Sequence, residues 1–521
     1  MSTTHVTDDS SSEESVGRRS SPDQNGRTSR NHFRKSSIPL APPFMVSAPG
    51  KVIVYGEHAV VHGKPAMAAA ISLRSYLHVH TLTKSSRTVS LFFPDISLSH
   101  TWSIDALPWS TFQHPSKKRN YYDLVTALDH ELVASLKPHT DAVSPDYPPH
   151  ERRIHAHTAT AFLYLFLSLG SPRSHSCIYS LRSAIPPGAG LGSSASVTVC
   201  LATALLLQAH ALSGPHPDQP APESATQLER INRWAFVGEC CIHGNPSGID
   251  NTVSTQGKAA VFQRTDYARP PSVRMLRRFP SLPLLLVNTM QVRSTATEVA
   301  KVARLREGHP EIADGVLEAI GRVTGSAERV IGRAEEDGAE GVSEGTIRHL
   351  GELMGINHGL LVALGVSHPK LERLRALVEQ AGVGWTKLTG AGGGGCAITL
   401  LDPKGCGMDH SERETKGSEI DVPLMEKGPK MLENGVGGLT QLQRDLEAEG
   451  FEKFETILGG DGVGVLYPAV LHNGSEESQE GGEEIDQEKF LSVQGRDGVE
   501  KLVGVLGPGR GVREGWRFWT V

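Results

Sequence analysis

Four short stretches carry the residues best suited to chemistry. "IPPGAGLGSSAS" (185–196) sets three glycines ahead of paired serines and an apolar run. A glycine-rich loop emptying into a helix aims several backbone N–H groups one way, at the positive end of the helix dipole, and anions settle there. Gly188, Ala189, Gly190, Leu191 and Gly192 would form such a cradle, and Ser193 and Ser194 would add hydroxyls for a phosphate or a magnesium ion. A turn with a serine N-cap explains the same residues, so the stretch alone leaves both open. It is not a Walker loop, which requires GxxxxGK[ST].

"SAPGKVIVYGEHAVVHG" places Lys51 after a Pro-Gly turn, with Glu57 and His58 following. "GECCIHGNPSGIDN" places Glu239 near the end of a helix and Asp250 beyond a tight turn. Carboxylates in such places can hold magnesium or act as bases. Taken singly, each reads first as an ordinary charged residue, because structural carboxylates outnumber catalytic ones. His58 and His62 have the HxxxH spacing of a zinc clip, but Gly56 and Gly63 argue against a helix there, and no structural zinc is expected. A histidine that hydrogen-bonds a substrate is the better functional reading. "KLTGAGGGGCAITLL" (387–401) contains GxGxxG at Gly390, Gly392 and Gly395. Its sequel "CAITLL" is strand-like, which predicts a loop joining two strands and argues against a dinucleotide fingerprint.

These residues need elements to hold them. "IHAHTATAFLYLFLSLG" (154–170) and "SVTVCLATALLLQAHALSG" (196–214) read as buried helices, the first closed by glycine. Ser224 and Gln227 form a capping-box pattern that would open "ATQLERINRWAFVGECCIHG". "SLPLLLVNTM" (281–290) is a strand candidate, and amphipathic helices follow to about Gln380. Residues 1–43 read as a disordered tail, and 403–436 and the acidic 474–488 as flexible insertions. Between the insertions, helix–strand alternation returns. The C-terminal "GWRFWTV" is aromatic enough to dock on the body.

The chain has 521 residues, enough for more than one core, with 38% hydrophobic content and a net charge of −6. That charge argues against a nucleic-acid binder. Six cysteines without framework spacing read as reduced thiols of an intracellular, cytoplasmic protein. No apolar run reaches membrane-spanning length, and the N-terminus lacks a signal-peptide core.

Together, the four stretches resemble, in order, the motif pattern of the GHMP kinases, small-molecule kinases of sugars and isoprenoid precursors. "GEHAVVHG", "ECCIHGNPSGIDN" and "INHGLLVALGVSHPKL" (356–371) resemble that family's mevalonate-phosphorylating branch. The similarity spans roughly 44–402 and resumes near 437–468. It implies an α+β fold with two lobes: 44–280, like the ribosomal protein S5 domain 2, and 281–521, ferredoxin-like. It implies ATP-dependent transfer to the 5-hydroxyl of mevalonate, with Asp250 as base and Lys51 stabilising the charge that develops on oxygen. Ser194 and Glu239 would be the Mg2+ ligands. Residues 188–194 would cradle the ATP phosphates, and Lys51, Glu57, His58, Asp250, Thr295 and Ala391 would border mevalonate. The resemblance also implies feedback inhibition by farnesyl or geranyl diphosphate and a homodimer. Val197 departs from the pattern, standing where animal members carry an aromatic residue. A homoserine or sugar kinase of the same family is the neighbouring reading, disfavoured by "EHAVVHG" and "HGNPSGIDN". Phosphomevalonate as acceptor is disfavoured by the intact aspartate. A non-catalytic sensor of the same fold would be expected to lose Lys51, Ser194, Glu239 or Asp250, and all four are present.

Overall fold

The computed structural model describes residues 42–82, 86–117, 125, 127–266, 271–336, 342–405, 437–471, 482–505 and 514–521. Nearly all of the expected tail, most of 403–436 and residues 474–481 lie outside the described residues. Residues 40–521 form one compact unit.

The N-terminal strands are β1 (Phe44–Tyr55), β2 (Ala66–Thr81), β3 (Thr88–Phe93), β4 (Leu98–Ser103), β5 (Cys177–Ser183), β6 (Ala259–Gln263) and β7 (Ser272–Leu276). They are followed by β8 (Leu282–Asn288), β9 (Gly384–Leu388), β10 (Cys396–Leu401), β11 (Glu452–Leu458) and β12 (Gly464–Leu466). The short pair β13 (Val470–Leu471) and β14 (Glu483–Glu484) precedes β15 (Trp516–Phe518). The main sheet runs β15-β12-β1-β2-β11-β8-β10-β9, with β5 and β6 pairing the two ends of β2. Almost all of β2 is buried, and its N-terminal part, Ala66–Ile71, is Ala-rich and apolar throughout, as suits a strand covered on both faces. The β11–β2 contact, Leu458 opposite Ile71, joins the early strands to the later ones.

The helices are α1 (Trp109–Phe112), α2 (His130–Thr140), α3 (Pro149–Leu169), α4 (Ser193–Gln208), α5 (Ala221–His243), α6 (Ile249–Gln256), α7 (Thr295–Gly308), α8 (Pro310–Glu336), α9 (Glu344–Ala363), α10 (Pro369–Ala381), α11 (Gly437–Ala448), α12 (Gln487–Ser492) and α13 (Gly495–Val503). Helix α4 is apolar on every side, as a helix packed all round must be, and it lies among α3, α5, α6, β1 and β2. One core joins it to α3 and β5 through Phe162, Tyr179 and Leu201. A second core couples Val52 and Ile71 to Leu284, Ile398 and Phe454. None of the described helices is long and apolar enough to cross a membrane.

Three expectations need correction. Helix α5 starts at Ala221 behind Pro220, about one turn earlier than the capping-box pattern places it. Ser224 is no cap: its hydroxyl donates to Gln219 Oε1, and Gln227 Nε2 donates to Ser213 and Glu223. Proline at the helix start, tolerated because its missing N–H is an orphan there, overrode the serine signal. The acidic stretch is not wholly a flexible insertion. Residues 483–484 pair with β13, and Ile485 is fully buried against Leu471 and Phe490. The third concerns the end of the chain, placed above in the later lobe. Strands β12 and β15 instead extend the early sheet beyond β1, and Trp519 Nε1 donates to Gln227 Oε1 at 3.2 Å.

Candidate functional site

Strand β1 is irregular where the chemistry begins. Its register against β2 shifts between Pro49 and Lys51. Ser196 Oγ donates to the Ala48 carbonyl and Ser254 Oγ to that of Pro49, each at 2.7 Å, so α4 and α6 clamp the kink. The Lys51 N–H donates to Leu191 O at 2.8 Å, tying the glycine loop to the same point. The kink directs Lys51 toward the first turn of α6, where its ammonium lies 3.2 Å from Asp250 Oδ1. The lysine side chain is 8% exposed and the aspartate 32%, so the carboxylate keeps an open side.

The loop before α4 is shaped by positive φ values at Gly188, Gly190 and Gly192. Gly192 is itself the N-cap, left-handed and without a side-chain cap. Ser193 and Ser194 are therefore the first helical residues, and the serine-cap explanation of this stretch falls away. The orphan N–H groups of that first turn remain available to an anion. Ser194 Oγ donates to Glu239 Oε2 at 3.2 Å and lies 3.0 Å from His243 Nε2. Glu239 is 3% exposed, and its Oε1 is buried without a hydrogen-bond partner. Burial, reinforced by the Asp250 charge, pushes the Glu239 carboxyl up to about 8, against the pull of Ser194 and Lys51.

A second cluster surrounds Glu57 and His58. Glu57 is almost wholly buried, with Oε1 paired to Lys387 Nζ and Oε2 accepting from Asn357 Nδ2 at 3.1 Å. His58 has φ +61° and bonds through Nε2 to Ala391 O at 2.8 Å. Burial holds its pKa below the ordinary imidazole range, partly opposed by the Ala391 hydrogen bond and the Glu57 and Glu298 charges. The loop carrying Ala391 joins antiparallel β9 and β10, which removes the dinucleotide reading, and is fixed to β1 by Thr389. The Thr389 hydroxyl donates to Ile53 O at 2.8 Å and accepts from Ile53 N–H at 3.2 Å. His62 closes the 3-10 turn Ala59–His62, and among the described residues no group of three His, Cys, Asp or Glu could hold a metal.

The structure thus gathers Lys51, Asp250, Ser194, Glu239 and the glycine loop in one place, and Glu57, His58 and Ala391 in another. Thr295, the first residue of α7, is exposed and has no described hydrogen bond to either set. Its neighbour Arg293 makes the connection. The guanidinium donates to Ala189 O at 3.1 Å, and a Cβ added at Gly190, Gly390 or Gly395 would run into it. Sequence reasoning passed over Arg293, His243, Lys387 and Asn357. His243, Asn357 and Lys387 stand inside motifs already quoted, so their positions were visible, but nothing in the spacing announced their partners.

Comparison with known proteins follows the same lines. Residues 157–258 match the model of the GHMP kinases N terminal domain, and 339–405 that of the GHMP kinases C terminal. A mevalonate kinase of Gibberella zeae is 62% identical over 496 residues, covering 95% of this chain and 91% of the relative. One of Aspergillus fumigatus is 60% identical over 495 residues, covering 94% and 85%. Among solved structures, the L. major mevalonate kinase in complex with R-mevalonate aligns with a TM-score of 0.51 at 20% identity, covering 80% of this chain and 96% of that one. That likeness bears on the fold alone.

Proposed function

Because the chain belongs to the mevalonate kinases of the GHMP kinase family, with its two-lobed α+β fold, we propose that Asp250, Lys51 and the α4 N-terminus perform its ATP-dependent phosphorylation of mevalonate. The observation that carries this assignment is the Lys51–Asp250 pair, 3.2 Å apart, beside the glycine loop. An alcohol is a weak nucleophile, so its proton needs an acceptor within hydrogen-bond reach as the new P–O bond forms. Asp250 takes the proton of the 5-hydroxyl, and the Lys51 ammonium stabilises the charge gathering on that oxygen. The glycine loop, 188–192, and Ser193 receive the ATP phosphates on backbone N–H groups. His58, Thr295 and Ala391 border the acceptor, with Glu57 behind them.

The residues fit a magnesium ion. Ser194 and Glu239 offer hard oxygen donors, and Glu239 Oε1 is a buried acceptor with no partner. Mg2+ commonly takes one or two protein oxygens and completes its shell with water and substrate phosphates. When bound, it neutralises charge on the transferring phosphates.

A homodimer and a cytoplasmic location belong to the same proposal. The first rests on family resemblance; the second is supported by the free cysteines 177, 200, 240, 241 and 396. Farnesyl or geranyl diphosphate is proposed as an inhibitor that occupies the phosphate cradle through its diphosphate. Its inhibition should weaken as ATP rises, and inhibition indifferent to ATP would separate the two sites.

The central test is Asp250→Asn. Its turnover should fall by about 10²–10⁴-fold while binding of a fluorescent ATP analogue stays near wild type. Near-normal turnover in the folded variant would remove Asp250 from the chemistry. Offering mevalonate, homoserine, galactose and phosphomevalonate side by side checks the acceptor.

A further inference from the structure

Both oxygens of Glu57 already have side-chain partners. Lys387 takes one and Asn357 the other, and the Lys387 side chain is completely buried. Among the described residues the ammonium's other partner is the Leu388 carbonyl at 2.8 Å. The strand carrying it is pinned in turn. Leu388 N–H donates to His358 Nδ1 at 3.2 Å, and His358 Nε2 faces Glu372 Oε1 at 3.0 Å. Asn357 Oδ1 is buried without a partner, a further polar cost at this spot.

Such a pair is a poor device for stability alone. Desolvating two charges offsets most of their attraction, and apolar replacements of similar volume are often as stable. What the pair does hold is the backbone next to it. His58 follows Glu57 directly and has φ +61°, a conformation costly for a non-glycine residue that persists only where its surroundings impose it. Glu57 anchors one side of that residue, and Ala391 O receives its ring on the other.

The ring chemistry then follows from donor counting. A carbonyl only accepts, so Nε2 carries the proton toward Ala391. In the neutral ring, Nδ1 is a bare acceptor, and no partner for it occurs among the described residues. Desolvation favours that neutral form. A bare imidazole nitrogen accepts from a hydroxyl and repels a carboxylate, so it can read one end of a hydroxy acid and not the other.

We propose that Lys387 and Asn357 are positioning residues which, through Glu57, hold His58 so that Nδ1 accepts a hydrogen bond from an acceptor hydroxyl. This rests on the mevalonate kinase reading, which wild-type turnover of mevalonate checks independently.

The test compares Lys387→Met with the double variant Lys387→Met/Glu57→Met in the full chain. Lys387→Met leaves the Glu57 carboxylate buried without its counter-charge, with only the Asn357 hydrogen bond remaining of the two described, and should lower Tm and raise KM for mevalonate. The double variant removes both charges, and its Tm should return to near that of the wild type. Its KM for mevalonate should stay raised about tenfold or more, equivalent to roughly 1.4 kcal/mol, with KM for ATP within about twofold. Recovery of KM for mevalonate along with Tm would overturn the proposal, since the pair would then be structural only. Equal rises in both KM values would also overturn it. If Lys387→Met does not fold, the double variant still decides. Absence of mevalonate turnover by the wild type would instead refute the functional reading itself.

Discussion

Replacing Gly192 by alanine sets a new Cβ 2.9 Å from Lys51 Cγ, on a residue with φ +72°. Two effects follow, and a second glycine separates them. An L-residue in the left-handed region costs about 1–2 kcal/mol, which should appear as lost stability. The clash is relieved only if the Lys51 stem withdraws by about 0.5–1 Å to ordinary carbon–carbon contact. That stem carries the ammonium 3.2 Å from Asp250, and a misplacement of about 1 Å at a reacting centre can cost around 10²-fold in rate. Gly188 is the control, since it has φ +71° but an added Cβ there meets nothing within 4 Å. Thermal unfolding and steady-state kinetics on both variants decide the matter. Tm should fall by similar amounts in the two. The kcat of Gly192→Ala should drop by about 10- to 100-fold, while Gly188→Ala keeps its kcat and changes mainly KM for ATP. Equal kcat values in the two variants would refute the idea that the loop sets the lysine.

Two further outcomes are expected. Glu239→Gln removes the buried carboxyl that would ionise to hold the metal beside Ser194, and should raise the Mg2+ concentration for half-maximal nucleotide binding about tenfold or more; Mn2+ titration of the protein–ADP complex reads this without turnover. Glu500, on α13, accepts from the Tyr76 hydroxyl at 3.1 Å, and burial pushes its carboxyl up to about 7 against the pull of Tyr76, Arg74 and Arg496. A raised carboxyl stabilises the fold below its unfolded value near 4.5 and loses that contribution as pH rises through about 7. Glu500→Gln should therefore gain on the wild type between pH 5 and 8, by on the order of 3 kcal/mol, read from denaturant melts. A constant difference across that range would show that Glu500 does not titrate there.

Much of this molecule was legible in the chain because the relevant signals were local. The buried helices, the β8 strand and the strand–loop–strand character of "KLTGAGGGGCAITLL" each follow from apolar periodicity and neighbouring turn residues. Lys51, Ser194, Glu239 and Asp250 were identifiable as candidates because their motifs carry them in a fixed order. What stayed hidden was pairing at a distance. Glu57 read as a substrate contact, and nothing within reach of it in sequence announces that Lys387 and Asn357 will close over both its oxygens. Arg293 was missed for the same reason, since its partners lie more than a hundred residues back in the glycine loop. The acidic run near 483 misled because charge pattern describes solvation on average, whereas Ile485 buries itself between the charges.

The return of β12 and β15 to β1 bears on how the chain is made. Met45–Ser47, a few residues before Lys51, pair with Gly464–Leu466, and that short strand is itself flanked by Trp516–Phe518. During synthesis the outer edge of β1 therefore waits for its described partner until residues 464–466 have emerged. An unpaired edge is a template for joining other chains. A chain stopped before residue 464 would carry the lysine motif and the glycine loop, but its first strand would lack the neighbour β12. The late strands β12 and β15 thus complete the sheet at the end where Lys51 sits.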